Sequence, residues 1–249
     1  MSVADLNHLR LVYSMHKNIT AVLLGLTIII LSSCTPVKQF VGNPCISNSS
    51  TTMQRIVDSS ACALNQMRSK ENWPYIDYLL EESRAVFIFP DVYKAAFLVG
   101  AEVGPGVLCA KDDTGFWNGP AFFNMAGIDV GLQGGVEGKT LLVFLMDDQA
   151  LDDALGGKID LSLGVDMAVG HTADRSNRGT FDVEGNIVLL VDQAGAYGGM
   201  TARTGAFMVS NDFNKRYYGK KVSVSDLLLT HKYDKPEADK LLLSLAGVY

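Results

Sequence analysis

No part of the sequence limits the fold more than the stretch from Ala85 to Gly135, where short apolar segments alternate with glycine and proline. Ala85–Phe89 is a β-branched and aromatic run. Pro90 follows it without the N–H that a strand ladder needs, so the strand is expected to stop there. From Ala95 to Val103 the side chains alternate. Ala95, Phe97, Val99, Ala101 and Val103 share one face of an expected strand, and Ala96, Leu98, Gly100 and Glu102 the other. Gly104-Pro105-Gly106 reads as a tight turn into a strand at Val107–Ala110, and Asp112-Asp113-Thr114-Gly115 as the next turn. Ile128, Val130 and Leu132 then alternate with Asp129, Gly131 and Gln133. This punctuation predicts an antiparallel meander rather than a nucleotide-binding sheet.

The β character continues downstream. Leu141–Met146 is continuously apolar, as a strand buried on both faces requires, and Ile187–Val191 repeats the pattern. Asp147–Leu155 reads as a short surface helix. Ile159, Leu161, Leu163, Val165, Met167 and Val169 alternate with Asp160, Ser162, Gly164, Asp166 and Ala168, which predicts one strand with a packed and a polar face. Of the 24 glycines, 21 lie between Gly100 and Gly219, a density inside strands that suits a strongly bent sheet. The remaining helical spacing lies at the ends. Met53, Ile56, Val57, Ser60, Ala61 and Leu64 form one stripe, Ile76, Leu79 and Leu80 a second, and Asn211–Tyr218, Ser225–Thr230 and Pro236–Ala246 read as C-terminal helices or turns. The expected fold is α+β: a strongly curved, mainly antiparallel sheet or partial barrel flanked by N- and C-terminal helices.

The first residues have a different character. His16 and Lys17 precede an apolar run, Ala21–Leu31, that ends in Leu31-Ser32-Ser33-Cys34. The run is too short to span a bilayer and fits the core of a secretory signal. Leu-Ser-Ser-Cys resembles the bacterial lipobox, in which the cysteine is acylated and becomes the new N-terminus. The alternative is a buried helix that ends in cysteine. The expected layout is a signal peptide over residues 1–33 (1–14 a start-site extension, with Met15 the true start), a lipidated tether over 34–49, and a single domain over 50–249 whose N-terminal helices occupy 50–84. The expected location is the bacterial envelope, lipid-anchored through Cys34 at the outer membrane and facing the periplasm. In an oxidising periplasm Cys45 and Cys62 are a candidate disulfide pair, and Cys109, inside an apolar strand, is a small buried hydrophobe.

Charge narrows the partners. Without residues 1–33, which hold Arg10, Lys17 and Asp5, the chain has 19 basic and 26 acidic residues, net −7. That balance opposes nucleic-acid binding. The basic residues gather late: Lys215, Arg216, Lys220, Lys221, Lys232, Lys235 and Lys240 stand against four acids. Lys215-Arg216-Tyr217-Tyr218-Gly219-Lys220-Lys221 reads in two ways. It is either a lipid-headgroup site, with cations and boundary tyrosines, or a helix end with solvated lysines and tyrosines packed inward. Motifs of other chemistries fail. Gly134 to Thr140 nearly spells a P-loop, but a strand and not a helix follows it. His171 and His231 are lone histidines without a nucleophile elbow, and no spacing suggests a metal site. A non-enzymatic chain without a cofactor is expected. The alternatives are a scaffold lipoprotein that binds a protein partner, not identifiable from the sequence, or an envelope hydrolase.

Phe89-Pro90, Ala96-Phe97, Gly104-Pro105-Gly106-Val107-Leu108, Trp117 with Pro120-Ala121, and Gly131-Leu132-Gln133 with Gly135 resemble the SYLF-domain family. The likeness continues in Gly164-Val165-Asp166, Gly195 through Gly199, and Asn214 with Tyr217-Tyr218-Gly219, and it is closest to a bacterial lipoprotein branch. Ala96 stands where a glycine is usual, and Asn118 where serine often follows the tryptophan. The resemblance implies binding of phospholipid, phosphoinositide-type in eukaryotic members, and in fungi also of actin. It implies no catalytic residues.

Overall fold

The computed structural model describes residues 45, 47–69, 76–96, 99–130, 135–160, 167–171, 186–193 and 203–248. The chain divides into two compact units, Met1–Pro44 and Cys45–Tyr249, and all the described residues belong to the second. Two helices open it, α1 (Thr52–Ser69) and α2 (Ile76–Glu82). Four long strands follow: β1 (Ala85–Ala96), β2 (Val99–Lys111), β3 (Trp117–Val130) and β4 (Gly135–Leu145). Helix α3 (Asp148–Leu155) is capped by Asp147, whose side chain accepts from the Ala150 N–H, satisfying an orphan donor of its first turn. Strands β5 (Lys158–Asp160), β6 (Met167–His171), β7 (Ile187–Gln193) and β8 (Arg203–Val209) complete the sheet. Helices α4 (Asn211–Tyr218), α5 (Val224–Leu229) and α6 (Asp239–Leu245) close the chain, with 3-10 turns at His231–Tyr233 and Pro236–Ala238.

The strands form one strongly curved sheet in the order β5-β8-β3-β2-β1-β4-β7-β6. All the described pairs are antiparallel except β6 with β7. The α+β expectation holds, and so does the meander β1-β2-β3. β4 leaves the meander and pairs with the other side of β1, which makes β1 central.

Both faces of this centre are covered, and that explains the unbroken apolar runs. Phe87, Phe89, Leu108, Phe123, Leu141, Val143, Leu189 and Phe207 face an aromatic core closed by α3 and α5. Phe87 meets Phe123 edge-on with ring centroids 5.0 Å apart, and Phe207 lies 4.9 Å from Phe89. Val86, Ile88, Val107, Cys109, Phe122, Leu142, Phe144 and Leu190 face a second core under α1, α2 and α6. Burial holds the Cys109 thiol far above its ordinary pKa, as befits an inert packed side chain.

Two local expectations are corrected. Pro90 does not end β1: the strand continues to Ala96, and the register shifts between Phe89 and Val92. A bulge there absorbs the residue that cannot donate. Nor is Gly104-Pro105-Gly106 a turn; β2 runs straight through it, and the chain instead reverses between Ala96 and Gly100, which pair directly. The expected strand from Ala95 to Val103 is therefore a hairpin. The glycines serve close approach. A Cβ on Gly106 would sit 2.5 Å from the Ile88 carbonyl and 2.4 Å from the Phe89 ring, and one on Gly104 would sit 2.7 Å from the Asp91 carbonyl. The long strand expected from Ile159 to Val169 is described only at its ends. Ile159 lies in β5, paired with β8, and Val169 in β6, paired with β7; residues 161–166 lie outside the described set.

Gly106→Ala is expected to destabilise the domain by about 1–3 kcal/mol through overpacking, seen as a lower midpoint in urea unfolding. An unchanged midpoint would mean that β2 does not press on the β1 bulge.

Candidate functional site

The C-terminal third of the chain carries the basic residues and is fastened to β3 by buried polar contacts. Asn214, on the inner side of α4, accepts from the Phe122 N–H at 2.8 Å and donates to the Phe122 carbonyl at 3.3 Å. Ser210, just past the end of β8, also donates its N–H to the Phe122 carbonyl at 2.8 Å, so the amide supplies the acceptor that the Phe122 N–H would otherwise lack where the β3–β8 ladder ends. Tyr218 is 9% exposed, and its hydroxyl donates to the Pro120 carbonyl at 2.7 Å. Gly219 then caps α4 in the left-handed conformation, φ 74°, where a side chain would be strained.

The orientation of α4 sorts its residues by chemistry. Tyr217 is half-buried, stacked edge-on against Phe122 at 5.1 Å, and Tyr218 is buried. Burial pushes both phenols well above their ordinary range. The tyrosines of the Lys215–Lys221 cluster therefore pack inward and do not face a headgroup. Lys215, Arg216, Lys220 and Lys221 are exposed. Arg216 pairs with Asp212 one turn earlier at 3.0 Å, an exposed contact worth little. Lys220 lies over the Tyr233 ring at 4.6 Å, and Lys235 over Tyr217 at 5.7 Å. Lys220 and Lys235 thus rest on aromatic faces, and with the exposed Lys215, Arg216 and Lys221 they make up the basic ledge of this segment.

The N-terminal side of the domain meets this ledge. The Tyr217 hydroxyl and Gln54 of α1 are 3.3 Å apart, and Gln54 also donates to the Glu237 carbonyl at 2.8 Å. Cys45, before α1, forms a disulfide with Cys62 inside that helix, with Cα atoms 5.4 Å apart. Ser59 donates to the Cys45 carbonyl at 2.7 Å, and Ser47 and Ser49 donate to Asp58. Burial alone would raise the Asp58 carboxyl, but these hydrogen bonds, one from Gln54 and the charge of Lys240 hold it below its ordinary value. The last residues of the expected tether are thus stapled to α1 beside the basic segment. Cys34 and the side chain of His171 lie outside the described residues.

Sequence reading missed the most saturated carboxylate. Asp112, at the root of the β2–β3 hairpin, accepts from the Thr114 N–H and hydroxyl, the Phe116 N–H, the Asn118 amide and His231 Nε2 at 2.9 Å. Burial would raise its pKa, but these donors outweigh that effect and hold it far below the carboxylate range. Among the described residues no hydroxyl or thiol hydrogen-bonds to the His231 ring, so the pair is a loop clasp rather than a nucleophile-activating dyad. A second hidden pair, Lys139–Glu102 at 2.5 Å with side chains 4% and 3% exposed, spans β1 from strand to strand. Among the described residues no group of three or more potential ligands could hold a metal, and no helix is long and apolar enough to cross a membrane.

Residues 126–248 match the family described as Ysc84, Las17-binding protein actin regulator. The chain is 27% identical over 146 residues to the human SH3 domain-containing YSC84-like protein 1, covering 55% of this chain and 41% of that protein. It is 25% identical over 172 residues to the Saccharomyces cerevisiae protein YSC84, covering 66% and 36%, and 24% identical over 158 residues to the yeast LAS seventeen-binding protein 3, covering 60% and 34%. The chain thus spans less than half the length of these relatives. No solved structure matches. With these relatives, the match places residues 126–248 in the SYLF-domain family.

Two expectations test this arrangement. Asn214→Ala leaves the buried Phe122 N–H without its acceptor, while the Phe122 carbonyl keeps the Ser210 N–H, and is expected to cost about 2 kcal/mol, measured by chemical denaturation; a neutral result would mean that α4 is held otherwise. Asp112 has a folded pKa below its unfolded one, so its stabilisation is complete above about pH 4 and is lost as pH falls toward the folded value. Melting temperature followed from pH 7 to pH 2 should therefore fall more steeply for the wild type than for Asp112→Asn. Parallel curves would contradict the clasp.

Proposed function

We propose that this protein is a non-enzymatic lipoprotein of the bacterial envelope, held at the outer membrane through an acylated Cys34 and facing the periplasm, whose SYLF domain binds anionic or phosphoinositide-like phospholipid headgroups. Lys215, Arg216, Lys220 and Lys221 are the headgroup contacts, and Tyr217 and Tyr218 support them from inside. The observation that supports this reading is that α1, the helix that follows the expected tether, meets the basic C-terminal segment through Gln54 and its contacts to Tyr217 and Glu237. A chain spans at most about 3.5 Å per residue. The stretch from Cys34 to Cys45 therefore keeps Cys45, the first described residue of the domain, within roughly 40 Å of an acylated N-terminus. Tethering raises the effective concentration of weak headgroup contacts, each worth on the order of 1 kcal/mol per cation near an anionic surface. The net charge of −7 on the processed chain makes this attraction local, so it depends on which side of the domain faces the bilayer.

A second reading, a scaffold that binds a protein, is favoured by the description of the family as Las17-binding actin regulators. Vesicle binding separates the two. The chain from residue 34, carrying Cys34→Ser to remove the anchor, is expected to co-sediment with anionic vesicles and to release as salt rises, because the screening length shortens from about 30 Å at 0.01 M to about 8 Å at 0.15 M. Replacing Lys215, Arg216, Lys220 and Lys221 with glutamine should remove most of that binding without lowering the melting temperature. Equal binding of the two at every salt concentration would favour the scaffold. In cells, Cys34→Ala is expected to abolish incorporation of labelled fatty acid; persistent labelling would refute the anchor.

A further inference from the structure

We infer that the β2–β3 hairpin tip is an apolar insertion element, with Phe116 entering the interfacial layer of an anionic phospholipid bilayer next to the basic ledge; the inference rests on the lipid-binding reading above. Phe116 is 67% exposed, more than any other exposed large hydrophobic residue among those described, and it belongs to neither core. An exposed aromatic on a floppy loop would be unremarked, but this loop is clamped. The Asp112 carboxylate holds the Thr114 and Phe116 N–H groups, the Asp112 N–H donates to the Phe116 carbonyl at 3.0 Å, and the Gly115 N–H donates to the Asp112 carbonyl at 3.0 Å. Gly115 turns the chain at φ 84°. The ring is thus presented with its backbone already ordered, so little further entropy is lost when it is buried.

The surroundings of the tip favour an anionic interface over a neutral apolar pocket. His231 bonds to Asp112 at 2.9 Å, which places the 3-10 turn His231–Tyr233 at the root of the hairpin. Lys232 of that turn is exposed, and Lys220 of the ledge rests on Tyr233 at 4.6 Å. The ledge therefore continues to within one short turn of Phe116. Acids are present as well. Asp113 is exposed at the tip, Asp226 lies 3.5 Å from Lys232, and Asp234 lies 3.7 Å from His231. Apolar tip and flanking cations together match the layered chemistry of a bilayer surface, with headgroup phosphates outside and acyl chains beneath.

The test uses the chain from residue 34 with Cys34→Ser and vesicles of equal parts phosphatidylglycerol and phosphatidylethanolamine. Phe116→Ser is expected to weaken partitioning about tenfold, the scale of losing one partly buried aromatic side chain. Phe116→Leu should retain most of the binding, and both variants should melt with the wild type, because the ring packs in no core. If Phe116→Ser binds as tightly as the wild type while the quadruple glutamine variant does not, the tip is not an insertion element, and a role for Phe116 toward a protein would give this same result. If the wild type fails to bind these vesicles at any salt concentration, the lipid reading itself falls and the inference with it.

Discussion

Everything in this domain depends on burying β1 on both faces. A strand covered on one side only can carry polar residues at every second position; Ala85–Phe89 carries none, because its odd residues fill the aromatic core and its even residues the core under the helices. Such a strand must accept partners at both edges, and β2 and β4 supply them. The bulge at Pro90 follows from the missing N–H. The glycines of β2 follow in turn from the bulge, since the displaced backbone leaves no room for a Cβ opposite it. Beyond the bulge, the aromatic side is finished by the Glu102–Lys139 pair. A buried ion pair of this kind adds little net stability, but either member alone would be costly, so β2 and β4 are held in one register across β1.

The helices divide the work of covering that sheet. α1, α2 and α6 close one face, while α3 and α5 close the other. α4 stands at the seam, with Tyr217 touching both cores and Tyr218 the aromatic one. Among the described residues, several of those by which the chain resembles its family fall at this seam and at the glycine approach. Asn214 and Tyr218 reach Phe122 and Pro120, and Gly219 ends the helix that carries them. They are the residues that build the platform. The cations are what the platform leaves on its solvent side, which separates the chemistry of assembly from the chemistry of contact.

This separation also accounts for the charge. An acidic domain can still carry a local cluster of cations, as the segment from Lys215 to Lys240 does. The disulfide at Cys45 and the serine bonds to Asp58 fasten the residues just before α1 to that helix. α1, the basic segment and the root of the β2–β3 hairpin are linked by contacts through Gln54, Tyr217, Tyr218, Tyr233 and His231.

Local signals in the sequence determined the elements themselves. Unbroken apolar runs marked β4 and β7, three- and four-residue spacing marked α1, and Asp147 and Gly219 marked the ends of α3 and α4, because each of these depends on residues a few positions apart. The antiparallel, strongly curved sheet followed from glycine density and alternation. The tertiary structure alone decided which strands are neighbours, that β4 returns to β1, and that Gly104-Pro105-Gly106 runs straight. A glycine that permits a turn and a glycine that admits a neighbouring backbone look identical in sequence; the difference is an Ile88 carbonyl supplied by another strand. The same holds for the site. Lysines and tyrosines in one heptapeptide gave no sign of which would face water, since that was settled by Pro120 and Phe122, far away in sequence, and the clasp of Asp112 by His231 joins residues with no local relation at all.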